Sequence, residues 1–115
     1  MKFKVPYFIS NHAIDRFRQY VDDIPAADII RLLQLRLQDP GEPVQWEIRG
    51  SMLTPIFRWF YQREGKTRIC YIPVVPGEGE WPAVPTILGS NSPLHKDLSA
   101  GRAPKVFIRS NADEA

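Results

Sequence analysis

Apolar residues in the first third of the chain recur every three or four positions, the period of a helix packed on one side. Over residues 11–21 the stripe is Ala13, Phe17, Tyr20 and Val21, with His12, Asp15, Arg16 and Gln19 beside or opposite it. Ser10 and Asn11 are both favoured capping types, so the helix starts at one of them. The residues before it, 5–9, read as a short edge strand, because Pro6 is tolerated only near a strand's start or on an edge. Asp22-Asp23-Ile24-Pro25 then breaks the chain and starts a second helix over residues 25–38, with Asp23 or Ile24 as cap. Its main face is Ala26, Ile29, Ile30, Leu33 and Leu37, widened by Leu32 and Leu35, which predicts a well-buried core helix. Asp39-Pro40-Gly41 ends it.

From Val44 the period changes to two. Val44, Trp46 and Ile48 alternate with Gln45, Glu47 and Arg49, the signature of a half-buried strand, and Gly50-Ser51 turns the chain. Residues 55–63 and 66–75 are β-rich runs joined by Glu64-Gly65, a two-residue hairpin turn. This register sets Arg63 opposite Lys66, Tyr61 opposite Arg68, Trp59 opposite Cys70 and Arg58 opposite Tyr71. One face carries Phe57, Trp59, Tyr61, Arg68, Cys70 and Ile72; the other carries Ile56, Arg58, Phe60, Ile69 and Tyr71. Both hold aromatics and an arginine, so the pattern leaves open which face lies under the helices. Residues 76–82 read as a loop and 83–88 as a further strand, with Pro85 marking an edge or bulge. After Gly89 the chain turns polar, residues 105–109 form a last short strand or pack back on the body, and 110–115 read as disordered.

The fold class expected is α+β: two N-terminal helices packed on a small, mostly antiparallel sheet of about four strands. Residues 1–90 would form a single compact domain, and 91–115 a polar, partly flexible extension. Composition fits one ordinary globular core, with 115 residues, 43% apolar and 24% charged. No run of about 18 apolar residues offers a membrane span, and the start lacks the apolar segment of a secretory signal. The single cysteine, Cys70, forms no internal disulfide, so a cytoplasmic setting is expected. A net charge of +2 neither demands nor excludes a nucleic-acid partner. Eleven prolines, mostly at element borders, cut the second half into short pieces.

Candidate chemistry is sparse. His12 falls in the first helical turn, where free N–H groups and the macrodipole favour anions, and Arg16 follows one turn later. Together they could hold a phosphate and move a proton. His95, in the polar stretch after Ser90, reads as a solvated loop residue. No histidine has a metal-ligand neighbour at a recognisable spacing, and no cofactor loop is present, so neither metal nor cofactor is expected. Cys70, in mid-strand beside aromatics, reads as a small core residue. The hairpin gathers Arg58, Arg63, Lys66 and Arg68 with Trp59, Phe60, Tyr61 and Tyr71, a mixture that can bind phosphates and stack unpaired bases.

The order of a His-Ala-x-x-Arg helix, a second helix, a Gly-bounded strand, a hairpin and a closing strand resembles a known group. It is similar to small bacterial and phage proteins of the RelE-like and colicin-like ribonuclease-toxin superfamily. Within it, the nearest branch opens its first helix with His-Ala-x-x-Arg-x-x-x-Arg. His12-Ala13-Ile14-Asp15-Arg16 matches that motif, and Val84-Pro85-Thr86-Ile87-Leu88 resembles the closing strand; Tyr20 stands where the second arginine would be. The resemblance implies metal-independent endoribonuclease activity of toxin type, with the ribose 2′-OH attacking the adjacent phosphate. It casts His12 as the acid–base group, Arg16 as a phosphate clamp and Thr86 as a positioning hydroxyl. Placement on the hairpin adds Arg58, Arg68, Tyr61 and Tyr71 as substrate-binding candidates. RNA, and an antitoxin or host protein, are the partners this implies. The alternative is a non-catalytic phage or mobile-element module that docks on a host protein or nucleic acid through exposed aromatics and the 76–82 loop.

Overall fold

The cap at Ser10 is formed in the computed structural model, which describes residues 6–76 and 81–109 (of Arg109, the backbone alone). Strand β1 (Phe8–Ile9) runs into helix α1 (Asn11–Tyr20), and Ser10 Oγ accepts the Ala13 amide at 3.0 Å. Val5 and residues 110–115 lie outside the described residues, as do 77–80 of the loop. Ala13, Ile14 and Phe17 form the buried line of α1, while His12 stands exposed beside it. Helix α2 (Ala26–Gln38) begins with Pro25 itself at the cap position, in place of Asp23 or Ile24, and no side chain caps it. Its buried line is Ile29, Leu33 and Leu37. Ile30 and Leu35, read as part of the core face, are exposed, because one sheet surface covers only one stripe of a helix.

The strands follow as β2 (Gln45–Arg49), β3 (Met52–Arg63), β4 (Lys66–Pro73) and β5 (Ala83–Val84), then helix α3 (Pro93–Ser99) and β6 (Val106–Arg109). All four expected cross-strand pairs of the hairpin are present. The turn enforces them: Glu64 and Gly65 both have positive φ, 52° and 77°, as a two-residue turn matched to strand twist requires. Strand β3 starts at Met52, three residues before the expected Pro55, and pairs along all of β2. The main sheet has the order β4-β3-β2-β6, antiparallel except for the parallel β2–β6 pair. A second, two-stranded sheet joins β1 and β5 in parallel. The architecture is α+β, with both N-terminal helices ahead of the main sheet.

Two expectations about the second half change. The strand expected over residues 83–88 shrinks to β5 and one bridge between Leu88 and Tyr71, since Pro85 interrupts the ladder. The polar stretch holding His95 is helical: Ser92 Oγ accepts the His95 amide and Pro93 sits at the first helical position. His95 is accordingly no solvated loop residue. Its Nδ1 lies 2.7 Å from the Tyr71 hydroxyl, which pins α3 onto the sheet.

The helices cover the sheet face that carries Phe57, Tyr61, Cys70 and Ile72. Phe17 is fully buried there, with ring centroids 6.0 Å from Trp59 and 5.5 Å from Tyr61. Trp59 thus belongs to the packing beneath α1 and offers little docking surface. Burial pushes the Cys70 thiol up to about 12, which leaves no thiolate for nucleophilic work. On the opposite face, Ile56 and Tyr71 are buried; the Tyr71 backbone pairs with Leu88 and its ring meets His95 of α3. No helix among the described residues is long and apolar enough to cross a membrane.

Candidate functional site

Two segments 74 positions apart in sequence meet because Ser10 serves both. Its amide donates to Val84 O at 3.2 Å, and its hydroxyl, while capping α1, donates to Pro85 O at 2.9 Å. The parallel β1–β5 pair, Ile9 beside Val84, completes the clamp. His12 in the first turn of α1 and Thr86 just past β5 are therefore brought to one cavity of about 320 Å³.

The rest of that wall comes from the sheet face away from the helices. Glu47 and Arg49 project from β2, and Thr54 and Ile56 from β3. Arg49 Nη2 donates to Glu47 Oε1 at 3.0 Å, and the Glu47 side chain is only 13% exposed. Thr54 is buried, and its hydroxyl has no hydrogen-bond partner among the described residues. A buried hydroxyl left this way marks a place where water or a ligand belongs. Arg16 Nε reaches His12 Nε2 at a long 3.4 Å, and its Nη1 donates to Gln19 at 2.7 Å. The cavity thus combines an imidazole, a carboxylate, a guanidinium and two hydroxyls. Among the described residues, no three His, Cys, Asp or Glu side chains gather as a metal cluster.

The remaining candidates sit elsewhere. Tyr61 and Arg68 line a separate cleft of about 260 Å³ at the hairpin tip, with Asp22, Arg63 and Lys66. From Thr54 to Tyr61 is seven residues of β3, or roughly 20 Å at strand rise. They cannot serve the cavity that His12 lines. Arg58 and Tyr71 share the face of Glu47 but are engaged elsewhere: Arg58 stacks over Phe60 at 5.2 Å, and the Tyr71 hydroxyl meets His95 Nδ1. Burial raises the Tyr71 hydroxyl, with Arg58 pulling the other way.

At the hairpin tip the polar groups hold the fold together. The Tyr61 hydroxyl and Arg63 Nη1 both donate to Asp22 Oδ2 at 2.8 Å, tying β3 to the end of α1. The Arg63 hydrogen bond holds the Asp22 carboxyl below the usual range against the opposing effect of burial, with Tyr61 helping. A lowered folded-state value stabilises above the unfolded Asp value of about 3.9 and is lost as pH falls through the folded one. Urea midpoints should therefore fall as the pH drops below about 4. Asp22→Asn should be less stable at pH 7 and show a shallower acid fall; parallel pH curves for the two proteins would refute the tie.

Sequence reading missed Glu47, Arg49 and Thr54. The signal was present in the polar half of the β2 alternation, but nothing in it showed that α3 and residues 85–88 would roof that half. The chain matches no family model, no curated protein and no solved structure.

Proposed function

We propose that the His12–Thr86 cavity is a metal-independent endoribonuclease site. The observation that carries this reading is that the motif residues His12 and Thr86 share one cavity with Glu47 and Arg49. Cleavage through the ribose 2′-OH needs a proton acceptor, a proton donor and cations for the developing phosphorane charge. Glu47, held beside Arg49, takes the 2′-OH proton as O2′ bonds to phosphorus. The P–O5′ bond breaks, and the imidazolium of His12 protonates the leaving O5′. Arg49 faces the non-bridging oxygens, Arg16 lies outside the cavity lining and acts through its contact with His12, and Thr86 and Thr54 supply hydroxyl donors. The products are a 2′,3′-cyclic phosphate and a 5′-hydroxyl, so atoms and charge balance.

The test is single-turnover cleavage of single-stranded RNA in EDTA by wild type and Glu47→Gln. General-base removal should slow cleavage by about 10²–10⁴ while RNA affinity changes little. A Glu47→Gln protein as fast as wild type would remove Glu47 from the mechanism.

One observation favours docking as a second reading. The edge strand β6 leaves Val106 and Ile108 49% and 73% exposed, beside an open row of backbone groups. A docking protein would be indifferent to Glu47→Gln.

A further inference from the structure

The catalytic cavity does not end at Glu47. A second cavity of about 270 Å³ shares Glu47, Ile56 and Leu88 with it and runs beneath α3. Its apolar walls include Ile56, Leu88 and Phe107, surfaces against which a flat ring can lie. Its polar groups are Gln45, Glu47, Ser92 and Asp97; Glu47 is taken up by Arg49, and each of the other three has a defined vacancy.

Gln45 is 95% removed from solvent, at 5% exposure, and its Nε2 donates to Pro104 O at 2.8 Å. That bond fixes which amide atom is nitrogen, so Oε1 is left as a buried acceptor without a partner among the described residues. A buried acceptor in this state is satisfied by a ligand or by water. Ser92 Oγ accepts the His95 amide at 3.2 Å, and the hydroxyl proton remains to be donated. The Asp97 carboxylate meets Arg102 through Oδ1 at 3.4 Å, and Oδ2 is left to accept. The pocket therefore offers one donor and two acceptors around an apolar slot.

We infer that this second cavity is a nucleobase subsite that selects guanine. The inference rests on the ribonuclease reading for what lies next door, where the adjoining phosphate would sit. Among the four RNA bases, guanine's pairing edge carries one acceptor, O6, beside two adjacent donor groups, N1–H and N2–H₂. Ser92 matches O6, and Gln45 Oε1 with Asp97 matches the donors. Adenine and cytosine present a single exocyclic donor next to acceptors, and uracil a single N–H between two carbonyls. Each brings one donor group to two acceptors, so either the buried Gln45 Oε1 or the half-exposed Asp97 Oδ2 is left unpaired, and the first of these is the costlier mismatch.

The test is equilibrium binding of the four 3′-nucleoside monophosphates to the full chain, wild type and Asp97→Asn. The guanosine nucleotide should bind about tenfold or more tighter than the others. Asp97→Asn, a half-exposed position whose loss leaves the core intact, should erase that preference and leave the other three unchanged. Equal binding of all four, or a guanosine preference that survives Asp97→Asn, would overturn the subsite. Binding and cleavage fail separately. Selective guanosine binding by a protein that leaves RNA intact would sink the nuclease reading and uphold the subsite; cleavage at every base would do the opposite.

Discussion

His12→Ala is expected to slow RNA cleavage by about 10²–10⁴ while leaving the fold's stability within about 0.5 kcal/mol of wild type. The two halves of that result have different origins. His12 is exposed, and among the described residues its one side-chain hydrogen bond is the 3.4 Å approach of Arg16, too long to contribute much to folding. What holds the first turn in place is Ser10, through its cap to Ala13 and its bond to Pro85, and the substitution touches neither. The imidazole is thus dispensable to the structure and, in the proposed reaction, is the group that protonates O5′. Single-turnover rates and urea midpoints on the same two proteins measure both. An unchanged rate would remove His12 from the chemistry; a large fall in midpoint would show that the side chain had a structural task.

Phe17→Ala should have the largest effect on stability, about 3–5 kcal/mol. The ring is fully buried between α1 and the sheet, edge-on to Tyr61 and tilted against Trp59. Its loss removes apolar contact area, leaves a cavity that the two aromatic neighbours cannot collapse, and ends two ring–ring contacts. Because α1 carries His12, cleavage should fall as well, but through lost folded protein. That loss should be recovered by lowering temperature, whereas the His12→Ala defect should persist. A midpoint shift equivalent to less than about 1 kcal/mol would mean that α1 is held by something other than this packing.

The parts of the fold written in local patterns were legible. The Ser10-Asn11 pair announced the start of α1, with Ser10 the cap, and Glu64-Gly65 fixed the hairpin register because its two positive φ angles match the twist of the flanking strands. The parts decided by distant partners were not. β2 meets β6 in parallel across more than fifty residues, a pairing that leaves no mark on either strand alone. The helix around His95 escaped notice because its seven residues, about two turns, are set by the Ser92-Pro93 start and by the Tyr71 contact, with no apolar stripe to reveal them. For the site, alternation placed Glu47 and Arg49 together on one face of β2, yet a polar strand face normally meets water. Here the roof formed by residues 85–88 and α3 turns that face into a cavity wall. His12 and Thr86 could be named from the motif, but their meeting depends on Ser10 and the β1–β5 pairing that together join both segments.

The most direct measurement is the chemistry of the RNA ends after end-labelled single-stranded RNA is incubated with the wild-type protein in EDTA. The His12–Glu47 cavity predicts fragments ending in a 2′,3′-cyclic phosphate on one side of the cut and a 5′-hydroxyl on the other. RNA that stays intact, or fragments ending in a 3′-hydroxyl and a 5′-phosphate, would contradict it.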